Sequence, residues 1–401
     1  MSHGTPLPPL PSSAKELGAL LRERILLFDG AMGTSIQAKH LDAAAFGGPE
    51  YDGCNEYLVL TSPQVITAIH EGFLQAGSDI IETDTFGGTP IVLAEYGLQD
   101  RTVEINRAAA QVARAAAARY STPAKPRFVA GSMGPTTKTI SVTGGVTFQQ
   151  MREAYAQQAE GLLLGGVDFL ILETAQDTLN VKAGLLGIED ACRKVGVSVP
   201  VIVSGTIETM GTMLAGQGVE ALYVSLAHQD LLAIGLNCAT GPDFMTDHIR
   251  TLAQLSRFPV LCMPNAGLPD EEGRYNETPT MIAAKLERFV DQGWINMVGG
   301  CCGTTPAHLN LLAQMLVGKK PRVIRAPRRS VVAGLEPLAI DEEKRPVLVG
   351  ERTNVIGSRK FKDLIVAGAF EEGAEIGRRQ VRGGAQILDV CLADPDRDEL
   401  A

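Results

Sequence analysis

The sequence has no run of about twenty consecutive apolar residues, the length a membrane-crossing helix requires, and its opening, MSHGTPLPPLPSSAKEL, lacks the apolar core of a secretory signal. Nor is there a surplus of basic charge, since 36 Lys and Arg against 46 Asp and Glu leave a formal net charge of −10. Nucleic acids and anionic membranes call for a basic face, so neither is an expected partner. Histidine is scarce and scattered, six in 401 residues, and suggests no cluster. Seven cysteines are odd in number and sparse for a disulfide framework. In a reducing compartment a cysteine cluster leans toward metal binding or catalysis. These absences make a soluble, cytoplasmic protein the expectation.

What is present is an ordinary globular composition, 45% hydrophobic and 20% charged, with ample material for a core. Short apolar, β-branched runs recur at 24–33, 78–86, 127–134, 167–175, 199–207, 231–239, 258–267 and 295–304. Helical patterns lie between them, such as 62–77, with Ser62 as a cap before Pro63, and 147–166, which stops at glycine. Nearly continuous apolar strands alternating with helices indicate a parallel sheet covered by helices. Eight such units in about 300 residues fit a closed (β/α)8 TIM barrel, with an open doubly wound sheet as the structural alternative. The barrel is expected over 15–318, after a flexible N-terminal tail at 1–14. Residues 319–346 are charged, hold four prolines and lack a sustained period, so they read as a linker whose six basic residues from Lys319 to Arg329 are solvated by default. Strand, turn and helix signals resume over 347–401, too few to close a second α/β barrel, so this segment is expected to be the truncated start of one.

The stretch WINMVGGCCGTTPAHL (294–309) sets two cysteines side by side among glycines. Cys301 and Cys302 end the eighth predicted strand and Cys238 ends the sixth, so all three reach the barrel face where catalytic groups gather. Cys54, Cys192, Cys262 and Cys391 fall elsewhere. Three readings of the convergence stay open: buried cysteines that simply pack, a phosphate cradle before a helix N-terminus, or a zinc site of three thiolates with an open fourth position. Asp29 and Glu173 each end an apolar strand at the same face. An unpaired carboxylate there is costly, so they either cap local turns or receive a cation. The GAMG turn at Gly30 offers backbone N–H groups to a carboxylate. His308, past Pro306, reads as a packed or solvated histidine in place of a ligand.

The segments FDGAMGT (28–34), IIETDTF (80–86), LILET (170–174), GLNCATGP (235–242), MPNAGLPDEEGRYNETP (263–279) and GGCCGTTP (299–306), in register over residues 15–318, resemble the homocysteine S-methyltransferase family. The resemblance implies a zinc ion on Cys238, Cys301 and Cys302 that binds L-homocysteine through its sulfur; the ammonium of such a substrate would satisfy Asp29 and Glu173, and the turn at Gly30 would take its carboxylate. One departure is Asp84, in TDTF where relatives often read TNTF; it adds a carboxylate expected near the pocket mouth. After the linker, GERTN (350–354) and the LDV strand (388–390) resemble the opening of the methyltetrahydrofolate-binding barrel of the cobalamin-dependent methionine synthase family, which implies pterin contacts from Glu351, Asn354 and Asp389. Cys391 stands where such relatives often have Asn. The expected activity is methyl transfer to the homocysteine thiol, with methylcobalamin as donor, recharged by 5-methyltetrahydrofolate. The cobalamin-binding module would then be a partner outside this chain, which reads as a fragment or split product of a longer enzyme. Two alternatives stand beside this expectation: a corrinoid-independent enzyme using S-methylmethionine or betaine, and a non-catalytic zinc module closed by a fourth cysteine such as Cys262.

Overall fold

The computed structural model describes residues 6–325 and 329–394. Parts of the expected tail (1–5), linker (326–328) and second domain (395–401) therefore lie outside the described residues. The chain divides into two compact units, 1–327 with 333–337 and 328–332 with 338–401.

The first unit is built on eight strands: β1 (Leu26–Leu27), β2 (Ile80–Glu82), β3 (Phe128–Met133), β4 (Phe169–Ala175), β5 (Val201–Gly205), β6 (Ala233–Asn237), β7 (Val260–Met263) and β8 (Met297–Val298). They form one sheet in the order β1-β8-β7-β6-β5-β4-β3-β2, every ladder parallel. Helices occupy the connections, as the alternating pattern requires, and the sheet curls into a nearly closed (β/α)8 barrel. Between β1 and β2 no ladder forms. That seam is stitched by Asp79, whose N–H donates to the Leu27 carbonyl at 2.7 Å while its carboxylate accepts from the Leu27 N–H at 3.0 Å and from Arg24 at 2.7 and 3.0 Å.

Strand residues alternate between two environments because successive side chains point to opposite faces. Ile80, Phe128, Ala130, Phe169, Ile171, Ile202, Ala233, Leu261, Met263 and Met297 fill the barrel interior. Their neighbours Ile81, Val129, Leu170, Leu172, Val203, Ile234, Leu236, Val260, Cys262 and Val298 pack outward against the helices. The same parity sends Glu82, Ser132, Glu173, Ser204 and Asn237 inward at the C-terminal end of the barrel, where apolar filling gives way to a polar layer.

Helix Ser12–Glu23 begins inside the segment expected to be a tail. Its Leu17 and Leu21 join the interior cluster, so the helix plugs one end of the barrel. Helix Phe148–Gly165 starts at a Thr147–Gln150 capping box and stops at Gly166 with φ +86°, as its sequence predicts. Ser62 precedes helix Pro63–Ala76 without capping it; its hydroxyl donates to the Ala45 carbonyl at 2.8 Å instead. The basic residues after 318 are not all solvated. Arg322 is buried, its guanidinium donating to the carbonyls of Ala253, Phe258 and Ser256 at 2.8, 3.1 and 2.6 Å. Carbonyls at the end of helix Pro242–Leu255 make a favourable seat for a cation.

The second unit pairs strand Val349–Asn354 in parallel with strand Ile387–Cys391, with helices Arg359–Val366 and Phe370–Arg382 between them.

Candidate active site

Two chain segments bring the three cysteines together. β6 ends at Asn237, and the next two residues, Cys238 and Ala239, take left-handed backbone angles of φ 62° and 56°. Non-glycine residues adopt that region only when their surroundings hold them there. Here the Cys238 N–H donates to the Met263 carbonyl at 3.2 Å and the Cys238 carbonyl accepts from Thr240 at 2.7 Å. On the far side of β7, the loop after β8 is pinned residue by residue: the Cys301 N–H donates to the Pro264 carbonyl at 2.8 Å, the Cys302 N–H to Asn265 Oδ1 at 3.1 Å, and Thr304 Oγ1 to the Cys301 carbonyl at 2.6 Å. The glycines allow this crowding. A Cβ on Gly300 would lie 2.3 Å from Thr304 Oγ1, and one on Gly303, at φ +79°, 2.2 Å from Tyr275 Cβ.

The result is three sulfurs within 4.8 Å of one another, with Cys238 Sγ and Cys302 Sγ 3.8 Å apart. A tetrahedral ion about 2.3 Å from each sulfur would separate them by roughly 3.8 Å, so the cluster has the dimensions of a metal site. Among the described residues it is the one group of three or more His, Cys, Asp or Glu side chains so arranged. Its electrostatics point the same way. Hydrogen bonds from Cys238 and Cys301 lower the pKa of the Cys302 thiol to about 3. The Cys301 thiol is pushed up, first by its bonds to Cys238 and Cys302 and then by burial. Without a cation only one of the three sulfurs carries charge easily. A divalent ion would let all three ionise.

Cys262 takes no part. It faces outward into the core between β7 and the helices, its sulfur 4.0 Å from Met245 Sδ, which removes the fourth cysteine that a closed structural site needs. His308 is packed, accepting the Thr305 N–H at Nδ1 (3.1 Å) and donating from Nε2 to the Glu277 carbonyl at 3.0 Å.

Beside the sulfurs lies an acidic wall. Asp29 is 2% exposed and Glu173 7%. Asp29 Oδ2 accepts the Glu82 N–H at 3.0 Å, and Glu173 accepts from Ser132 Oγ at 2.5 Å and Asn237 Nδ2 at 3.2 Å. Asp29 Oδ1 and Glu82 Oε1 are buried without a partner. Burial raises the pKa of all three carboxyls, well above the ordinary range for Asp29 and Glu82 and to about 7 for Glu173. The negative charge of Cys302 adds to the shift at Glu173, and the carboxylates raise one another at Glu82. Such a wall is costly when empty and suited to a cation.

Gly30 sits where β1 meets the cysteine loop, and a Cβ there would come within 2.7 Å of Thr304 Oγ1. The neighbouring Ala31 N–H is engaged by that hydroxyl at 3.3 Å. Asp84 belongs to a different group. It is buried, its charged neighbour is Glu56, and its Oδ2 is unpartnered. Sequence reasoning passed over Glu82, Ser132, Asn237, Asn265 and Tyr275. For the first three the signal was available, since each follows an interior apolar or small residue by two positions on its strand.

A family model described as "Homocysteine S-methyltransferase" matches residues 26–316, the span that holds both the sulfurs and the carboxylates. The chain belongs to the homocysteine S-methyltransferase family. It is therefore a methyltransferase enzyme. Solved structures agree in fold. The homocysteine methyltransferase MmuM from Escherichia coli in its metallated form is 23% identical at a TM-score of 0.61, covering 74% of this chain and 98% of that one. The oxidised form of the same protein is 22% identical at a TM-score of 0.60, covering 76% and 99%. No helix among the described residues is long and apolar enough to cross a membrane.

In the second unit, Asn354 and Asp389 meet, Asn354 Nδ2 donating to Asp389 Oδ2 at 2.8 Å. Asn354 Oδ1 also accepts from the N–H groups of Ile356 and Gly357. Glu351 is exposed on the first strand of that unit.

Proposed function

We propose that this enzyme methylates the thiol of L-homocysteine while a zinc ion on Cys238, Cys301 and Cys302 holds that thiol as its thiolate. The observation that carries the proposal is the pairing of three sulfurs within 4.8 Å of one another with buried, unpartnered carboxylate oxygens. One end of the site suits a metal-bound thiol and the other an ammonium, and homocysteine has both. Zinc supplies deprotonation of the arriving thiol at neutral pH and an open position for it.

The chain's own residues do the rest. The left-handed turn at Cys238 and the pinned loop at Cys301 and Cys302 fix the sulfur triangle before substrate arrives. Asp29, Glu82 and Glu173 face the ammonium, and each oxygen it satisfies removes a desolvation cost present in the empty site. Holding the amino-acid end restricts the poses open to the sulfur. The sulfur contributes the electron pair of the new S–C bond, and the donor keeps the pair from the bond that breaks.

The donor proposed is methylcobalamin, recharged by 5-methyltetrahydrofolate. Support comes from the second unit, where Asn354 and Asp389, two of the three residues matching a pterin-binding motif, are hydrogen-bonded at a strand end. X-ray absorption tests the site: the zinc shell should go from three sulfurs to four when homocysteine is added, with proton release. Four sulfurs beforehand would refute it. Single-turnover assays with methylcobalamin, S-methylmethionine and betaine test the donor, and turnover with only the latter two would assign the enzyme to the corrinoid-independent group.

A further inference from the structure

Asn237 is fully buried between the acidic wall and the sulfurs. Its orientation is fixed by an obligate donor: Oδ1 accepts the Thr174 N–H at 2.8 Å and the Ser204 hydroxyl at 2.7 Å. Nδ2 therefore faces three acceptors, Thr174 Oγ1 at 2.7 Å, Glu173 Oε2 at 3.2 Å and Cys301 Sγ at 3.9 Å. An amide nitrogen has two hydrogens. The short bond to Thr174 claims one, so Glu173 and Cys301 compete for the other.

We propose that Asn237 is a positioning residue that couples the two ends of the substrate site: this shared N–H shifts from Glu173 to Cys301 when a cation occupies the acidic wall. An ammonium on Glu173 neutralises the carboxylate and weakens its hold on the N–H. The freed N–H then strengthens its bond to the Cys301 sulfur, drawing charge from that thiolate and lowering its donor strength to the metal. Partners of this kind around a metal ligand commonly change affinity or activity by about 10- to 100-fold. A metal with weaker cysteine donors would bind a fourth ligand, the substrate thiol, more tightly, and because binding linkage is reciprocal, a thiol on that metal would in turn favour ammonium at Glu173. A thiol bearing an α-amine is thus recognised cooperatively, beyond the sum of its two contacts. The inference rests on the proposed metal site.

The test uses the full chain loaded with cobalt(II), whose thiolate-to-metal absorption band reports the donor strength of the cysteines. Glu173→Gln, which removes charge and keeps shape, should move that band to higher energy although the hydrogen bonds of Glu173 go to Ser132 and Asn237 and not to a cysteine, and should do nothing in an Asn237→Ala background. A shift of equal size in both backgrounds would mean through-space electrostatics and overturn the proposal, as would an unmoved band in Glu173→Gln alone. Should Asn237→Ala fail to fold, the unaltered protein provides the second measurement: saturating 2-aminobutyrate, an α-amino acid with no thiol, should move the band in the same direction as Glu173→Gln, and a band that stays put refutes the coupling. A protein that gives no cobalt–thiolate band at all would overturn the metal reading and this inference with it.

Discussion

Glu173→Gln should make the empty enzyme more stable and the working enzyme worse. Burial raises the Glu173 carboxyl from 4.5 to about 7, and each pKa unit corresponds to 1.36 kcal/mol, so holding it ionised in the fold costs about 3 kcal/mol. The sign follows from proton binding. Below about pH 4.5 both folded and unfolded chains carry the proton and no cost appears; between 4.5 and 7 the unfolded chain alone ionises, and stability falls with rising pH; above 7 the loss is complete. Glutamine cannot ionise, so it removes this pH-dependent loss. It does so imperfectly, because a glutamine whose oxygen accepts from Asn237 turns its N–H₂ on Ser132, whose hydroxyl then loses the acceptor it had at residue 173, and this gives back about 1 kcal/mol. The variant should therefore exceed the parent by about 2 kcal/mol in urea denaturation at pH 8, and fall slightly below it at pH 4.5. Homocysteine affinity should move oppositely, weakening by about 1–3 kcal/mol, the size of a charge-assisted hydrogen bond. Calorimetric titration at pH 8 reads the second effect. A variant whose stability tracks the parent's across this pH range would refute the raised pKa, and unchanged homocysteine affinity would return Glu173 to a structural role.

Three further outcomes are expected. Cys238→Ser should lose zinc affinity by more than 100-fold in a chelator competition, beyond the roughly 10- to 100-fold typical of residues that only support ligands, whereas Cys262→Ala should keep its zinc. Asp84→Asn should raise stability at pH 8 by about 1–2 kcal/mol, since it supplies a donor beside Glu56 in place of a buried carboxyl whose pKa is raised by burial and by that glutamate; thermal melts at pH 8 and pH 4 should show the gain only at the higher pH. Arg322→Ala should cost on the order of 2 kcal/mol by taking a charged donor from the carbonyls of Ala253, Ser256 and Phe258, of which Phe258 keeps the Ser256 hydroxyl, seen as a lower melting temperature with metal content unchanged.

The barrel was legible because each of its eight strands is an apolar run, and burial on both faces writes such runs into the sequence. Convergence of Cys238, Cys301 and Cys302 followed from their places at the ends of the sixth and eighth strands. Asn237 was not legible as a hub, because its role depends on side chains from three other segments, at Thr174, Ser204 and Cys301, that no local pattern connects. Glu82 was available from the two-residue alternation that places Ile80 inside, but it stands in IIETD next to more conspicuous residues. Arg322 was misread because a basic residue after a helix normally faces water, and only the fold brings the carbonyls at 253, 256 and 258 to it. Asp84 stayed ambiguous for a related reason: its neighbour Glu56 comes from a short 3-10 turn, Asn55–Tyr57, well before it in the chain, a pairing that spacing does not disclose.

The seam between β1 and β2 has a practical consequence for redesign. Asp79 closes it at one end, and at the other the Asp29 carboxylate grips the Glu82 N–H. A substitution at Asp29 chosen to admit a different thiol would therefore act on the barrel's closure and on its choice of ligand together, and libraries built there would be depleted of folded members before selection began. Glu82 and Glu173 offer freer ground. Neither side chain spans the seam, so the acceptor chemistry of the wall can be varied at those two positions while Asp29 is left to hold the cylinder shut.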